Sequence, residues 1–275
     1  MKKLGIFIYT LGVISLCLLS PWADSEPPAK LNLANYDNAK AQGLAIAKAA
    51  DWHNIGFGDS EVGLIMTLIN KRGQQSVREL RIKTLEVPED GDKSLLIFDS
   101  PADQKGTALL TISHKVESDD QMLYLPALKR VKKIASRNKS GPFVGSEFAF
   151  EDLSSQEVEK YDYEYLREEQ LDGEDCFVIV RIPKDEYSGY TKQIAWLDQS
   201  LLRLQKIEFY DRKSSHLKTL RFSKYKVYSG YWRAGEAFMD NHQNGKATRL
   251  QWSDYQFKVG LNDSDFTKNS LKRAR

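Results

Sequence analysis

Four histidines, His53, His114, His216 and His242, are the side chains best suited to hold a metal or to move a proton near neutral pH. They stand apart along the chain, and none sits at the pair spacing of a metal-ligand motif. Folding could bring two of them together, but spacing alone assigns them surface or structural roles. Carboxylates are denser: Glu147, Glu151 and Asp152 lie close in sequence, and Asp172, Glu174 and Asp175 cluster at a turn. Glycan cleavage needs two carboxylates flanking one bond, and no sequence spacing identifies such a pair. The second set reads as a solvated hairpin tip, and the first as capping groups and cation partners beside a short helix. Cys176 lies inside Cys176-Phe-Val-Ile-Val180, which suits a small core residue better than a reactive thiolate. There is no Gly-x-Ser-x-Gly elbow, and Gly141-Pro-Phe-Val-Gly145-Ser146 lacks the Lys-Ser/Thr ending of a phosphate loop. The expectation is a non-enzyme with no catalytic residue, no metal and no cofactor.

Binding chemistry is better represented. In Met122-Leu-Tyr-Leu-Pro-Ala-Leu-Lys-Arg-Val-Lys-Lys-Ile134 an apolar strand runs into a row of cations. The row comprises Lys129, Arg130, Lys132, Lys133, Arg137 and Lys139. It could meet lipid headgroups or dock an acidic partner, or serve as a solvated strand edge that resists aggregation. Val131 and Ile134 interrupt the charges, as in a half-buried segment with its cations facing out. Net charge is only +2 over 275 residues, which argues against a nucleic-acid binder.

The elements that must position these groups are mainly strands. Residues 33–53 are rich in alanine and read as a helix, which Asn54, Gly56 and Gly58 end. From Val62 onward the pattern has period two, and turn signals such as Asp172-Gly173, Ser229-Gly230 and Asn244-Gly245 bound about eleven strands in consecutive antiparallel pairing. Apolar alternation on Val62, Leu64, Met66 and Leu68, and on Tyr161, Tyr163 and Tyr165, supplies a continuous face. Three strands slip phase. Leu220 and Phe222 are out of step with Tyr225 and Val227, Leu250 and Trp252 with Tyr255 and Phe257, and Leu202 and Leu204 with Ile207 and Phe209. Such slips imply bulges in a sharply curling sheet, or strands that cross from one sheet of a sandwich to the other.

The N-terminus reads as a secretory signal over residues 1–25: Lys2 and Lys3, an apolar run from Leu4 to Leu19, then small residues. Cleavage is expected after Ser25, with Ser20 and Ala23 as alternatives. Cys17 follows Leu16 inside the apolar run, so a lipoprotein signal is disfavoured. Cys176 is then the one cysteine of the exported chain, which excludes an internal disulfide. Residues 26–275 are expected to form a single domain in the periplasm, with the 33–53 helix as an extension and a monomeric state.

The sequence resembles the LolA-like outer membrane lipoprotein-sorting protein family. The resemblance rests on Phe98-Asp-Ser-Pro101, Lys105-Gly-Thr-Ala-Leu-Leu110, Leu123-Tyr-Leu-Pro-Ala-Leu-Lys-Arg-Val-Lys-Lys133, Gly145-Ser-Glu-Phe148, Phe150-Glu-Asp-Leu153 and Asp265-Phe-Thr-Lys-Asn-Ser-Leu-Lys-Arg273. It implies a mainly β fold: a strongly curved, half-open antiparallel β-barrel with short lid or plug helices, resembling LolA and LolB. It also implies a carrier of lipid or lipoprotein acyl chains with only transient membrane contact, and an association with inner-membrane exporters of the resistance-nodulation-division type. The candidate cavity and lid residues are Met122, Tyr124, Leu125, Phe143, Phe148, Phe150, Trp196 and Trp252. Lys129, Arg130, Lys132 and Lys133 are the candidates for partner or headgroup contact. An accessory subunit that docks to an exporter and binds nothing itself is the alternative, and an envelope hydrolase the remote one.

Overall fold

The computed structural model describes residues 31–274. The signal expected at residues 1–25 lies outside them. A short 3-10 turn at Leu33–Asn35 precedes helix α1 (Ala39–Trp52), whose first turn is capped where Asn38 Oδ1 accepts the Ala41 N–H at 2.9 Å. Six strands follow: β1 (Asp59–Ile69), β2 (Gln75–Leu85), β3 (Lys93–Ser100), β4 (Ala108–Ile112), β5 (Asp120–Leu125) and β6 (Arg130–Ile134). After a long connection come β7 (Tyr161–Leu171), β8 (Glu174–Pro183), β9 (Tyr190–Asp198), β10 (Leu204–Asp211) and β11 (His216–Ser223). The chain continues with β12 (Lys226–Tyr228), β13 (Tyr231–Arg233), β14 (Glu236–Asn241) and β15 (Lys246–Phe257), and ends in the short helix α2 (Lys268–Arg273).

Among the described residues, thirteen strands form one antiparallel sheet in the order β6-β5-β4-β3-β2-β1-β15-β14-β11-β10-β9-β8-β7, and β12 and β13 make a separate hairpin. The two crossing sheets of a sandwich are therefore not what the phase slips meant. The strand count exceeds the expected eleven. Part of the excess arises where Pro126-Ala-Leu128 turns β5 into β6 without a glycine, Lys129 adopting a φ of 49°.

Two of the three phase slips are bulges within this sheet, and the remaining one, at Ser223-Lys224, is the point where the chain leaves it. Lys224 (φ 58°) and Asp254 (φ 57°) take left-handed conformations at the two slip points. Register also shifts between Glu61 and Gly63 opposite the second slip, and between Leu204 and Lys206 at the third. Each bulge adds local twist and bends its strand. At Lys224 the bend is complete enough to end β11 and start the β12–β13 hairpin.

The sheet curls into a trough. β5 and β9 lie nine strands apart in the sheet order, about 43 Å along a flat sheet. Yet Gln121 of β5 donates to the Phe150 carbonyl at 2.9 Å while Tyr190 of β9 donates to the Asp152 carboxylate at 2.8 Å. Residues 150 and 152 are at most about 7 Å apart, so the two strands face each other. β6 and β7 remain the two outer strands of the sheet order, and pairing between them, which barrel closure would need, is not seen.

One apolar cluster lines the concave side and receives a side chain from every strand of the large sheet, from Leu64, Met66 and Leu80 through Leu123 and Ile134 to Phe177, Leu220, Met239 and Leu250. The convex side of β3 and β4 is buried as well. There Leu95, Ile97, Ala108 and Leu110 pack against Phe266, Leu271 and Ala274 of the C-terminal segment. Burial on both faces explains the unbroken apolar run Leu95-Leu-Ile-Phe98.

Candidate ligand-binding face

Two pieces outside the sheet seal the trough. The first is α1, which buries Ile46, Ala47 and Ala49 in the concave cluster. It approaches β7 closely because Gly43 has no side chain: a Cβ there would lie 2.7 Å from the Glu164 carbonyl carbon. The second is the connection between β6 and β7, in which residues 141–153 cross the open side as a plug. Phe143, Phe148 and Phe150 point into the apolar cluster, with the ring of Phe143 5.8 Å from Phe98 and 5.5 Å from Phe150.

The plug is held by polar anchors drawn from both halves of the sheet. Arg78 of β2 donates to the Val144 carbonyl at 2.6 Å, and Thr248 of β15 accepts the Glu147 N–H at 3.0 Å. Lys218 of β11 donates to the Glu147 carbonyl at 2.9 Å and to the Asp152 carboxylate at 2.7 Å. Asn241 of β14 donates to Glu147 Oε2 at 2.6 Å. Asp152 also accepts the Ala149 N–H at 2.7 Å, and Glu151 accepts from the Ser188 hydroxyl at 2.7 Å and the Gly189 N–H at 2.9 Å. These carboxylates thus act as caps and cation partners. Burial, followed by the adjacent Asp152 charge, pushes the Glu151 carboxyl up to about 7.

The eight residues expected to share a cavity fall into three groups. Phe143, Phe148 and Phe150 sit in the concave cluster, and Leu125 and Trp252 pack against it. Met122 and Tyr124 face the convex side, beneath the C-terminal segment. Trp196 lies in a separate convex cluster with Cys176 and Val178, and the Lys206 ammonium sits 3.4 Å from its ring centroid. Met122 to Leu125 are apolar at both parities, so alternation could not say which pair faces inward.

Lys129, Arg130, Lys132 and Lys133 are exposed at the end and along the length of β6, one outer strand of the sheet. Register divides them: Arg130 and Lys132 pair with Leu125 and Leu123 and share the concave side, whereas Lys133 shares the convex side and bonds Asp120 at 2.7 Å. Lys139 is not part of this exposed row. It is buried, and its ammonium donates to Ser118 Oγ at 2.7 Å and the Asp119 carbonyl at 2.6 Å. Cys176 is fully buried, and burial pushes its thiol up to about 11, away from thiolate chemistry.

Sequence reasoning missed Arg78, Lys218, Tyr190 and Asn241. Each sits in an ordinary strand pattern, and nothing local marks it as an anchor. Two grooves border the sealing pieces. One of about 540 Å³ lies on α1 and is lined by residues of the N-terminal segment, among them Leu31, Tyr36, Leu44 and Trp52. Another of about 220 Å³ opens where Gly145 and Glu147 of the plug meet Leu68, Gln75 and Lys246 at one end of the trough. Among the described residues no helix is long and apolar enough to cross a membrane.

Known proteins share this architecture. A family model described as "uncharacterized protein" matches residues 90–273. A Vibrio parahaemolyticus domain assigned to outer membrane lipoprotein sorting is 53% identical, with a TM-score of 0.83 over 88% of this chain and 100% of that one. A DUF1329 family protein from Desulfovibrio piger is 29% identical, with a TM-score of 0.82 over 86% of this chain and 100% of that one. A LolA superfamily protein from Nitrosomonas europaea shares the fold at 22% identity, with a TM-score of 0.69 over 85% of this chain and 99% of that one. No curated protein matches the chain.

Proposed function

Because this chain belongs to the LolA-like outer membrane lipoprotein-sorting protein family, we propose that it is a periplasmic carrier that shields the acyl chains of a lipid or lipoprotein in its trough. The observation that carries the reading is the single apolar cluster along one face of thirteen strands, covered among the described residues chiefly by α1 and residues 141–153. Moving either seal uncovers apolar surface of the shape an acyl chain needs. Binding is then partition: each buried methylene contributes about 0.8 kcal/mol, and no bond is made or broken. Leu125, Phe143, Phe148, Phe150 and Trp252 are the contacts assigned to cargo, and Arg130 and Lys132 the cations at its rim. Export would remove residues 1–25 and leave 26–275 as one domain, with the helix near 33–53 as part of its lid.

Native mass spectrometry of the purified protein, with identification of extracted lipid, tests this. The carrier should hold lipid or take up a fluorescent fatty acid, and a chain that stays empty in both assays sinks the reading. The two faces provide an internal control. Trp252→Asp should weaken retention, whereas Tyr124→Gln, on the convex side, should leave it unchanged.

The plug supports a second reading, because its three phenylalanines occupy the space a ligand would take. In that case the protein docks to an inner-membrane exporter of the resistance-nodulation-division type through Lys129, Arg130, Lys132 and Lys133 and carries nothing. Loss of exporter capture in the fourfold alanine variant, together with an empty trough, selects it.

A further inference from the structure

The convex face carries a site that neither reading uses. β10 and β11 lose register where Phe209 pairs with Lys218 but Tyr210 pairs with His216, leaving Leu217 as the extra residue. A bulge re-aims the side chains beside it. His216 therefore shares a face with Thr219, although their odd separation would place them on opposite faces of a regular strand. His242 arrives from the end of β14, its backbone N–H bonded to the Leu217 carbonyl at 3.0 Å. The two imidazoles converge on one hydroxyl: Thr219 Oγ1 lies 3.1 Å from His216 Nε2 and 2.8 Å from His242 Nε2. Their ring centroids are 4.5 Å apart, and Tyr210 stacks on His216 at 5.4 Å.

We propose that His216 and His242 form a two-imidazole clamp for a divalent transition cation of the zinc or copper class. Imidazole nitrogen is the ligand these metals favour. Both Nε2 atoms already point at a common centre. The Thr219 hydroxyl occupies that centre, so a metal held at about 2.0–2.1 Å from both nitrogens requires Thr219 to rotate aside as the two rings close on it. Asp240 and Glu208 flank Thr219 in register on the neighbouring strands, Glu208 being paired with Lys206 at 3.1 Å, while the Lys192 ammonium lies 4.6 Å from the Tyr210 ring. The Asp240 carboxylate also lies 3.7 Å from His242 Nδ1. At that separation Asp240 attracts the ring through its charge and not through a hydrogen bond, and it leaves Nε2 for the metal. Among the described residues no group of three such ligands converges, so water completes the coordination. The clamp lies opposite the buried Lys218 and Leu220, so it is independent of whatever the trough holds.

Isothermal titration of the untagged protein with zinc chloride, and separately with copper sulfate, tests the clamp. One saturable site is expected. His216→Ala and His242→Ala should each weaken it at least tenfold, while His53→Ala and His114→Ala leave it unchanged. Zinc should also raise the Tm of the parent and not of His242→Ala, since a ligand of the native state stabilises it. The absence of saturable heat with either metal, or full binding in both clamp variants, overturns the proposal.

Discussion

Lys218 is buried against the rings of Tyr190 and Phe209, and its ammonium is shared between the Glu147 carbonyl and the Asp152 carboxylate. Removing one partner of a buried pair strands the other charge. Lys218→Met should therefore cost about 3–5 kcal/mol in urea unfolding, and adding Asp152→Asn should recover part of the loss. A cost near zero would mean that the pair does not anchor the plug. Glu151 makes the opposite case. Its carboxyl is raised from 4.5 to about 7 by burial and by Asp152, so the folded chain holds that proton more tightly than the unfolded one. Its contribution to stability is complete below pH 4.5 and is lost as pH climbs to about 7. Glu151→Gln keeps an oxygen for the Gly189 N–H and an amide for Ser188. Its Tm should exceed that of the parent at pH 8 and match it at pH 4.5, which a thermal melt at the two pH values checks. The sequence suggested capping roles for these carboxylates. It could not single out Lys218, one lysine in an otherwise ordinary strand.

The elements explain what seals the trough and what guards its edge. α1 lies against β7 through Gly43, and a Cβ there would meet Glu164 backbone at 2.7 Å. Gly43→Val should lift the helix and speed entry of a fluorescent fatty acid if the trough carries lipid; unchanged entry would show that α1 is not the gate. β6 is an outer strand with unpaired backbone groups, and exposed lysine and arginine discourage a second chain from adding to it. Arg130→Thr, Lys132→Thr and Lys133→Thr together should promote self-association, read by light scattering. The phase slips were legible in the sequence because apolar parity changes at identifiable residues. The direction of β5 was not, because Met122, Leu123, Tyr124 and Leu125 are apolar at both parities.

At the scale of the whole molecule, the chain builds one arm from β1 to β6, crosses the trough through the plug, and builds the second arm from β7 back to β15 beside β1. The β1–β15 ladder that joins the arms pairs residues about 180 to 200 positions apart, such as Met66 with Leu250 and Ser60 with Phe257. Contacts this distant carry a large loop-closure cost. Refolding followed by tryptophan fluorescence should take milliseconds to seconds or longer. A sub-millisecond refolding phase carrying the whole amplitude would contradict late joining of the arms.

The sequence by itself determined the mainly β character, the antiparallel pairing of most chain neighbours, the three points where apolar parity slips and the family resemblance, because strand period, turn chemistry and motifs are local properties of the chain. Only the tertiary structure decided which parity of β5 faces the trough, that residues 141–153 fill it, that Lys139 is buried beside Asp119, and that His216 meets His242. Those outcomes depend on which distant strands become neighbours and on one-residue register shifts. A single bulge at Leu217 was enough to turn two histidines that look isolated in sequence into a converging pair.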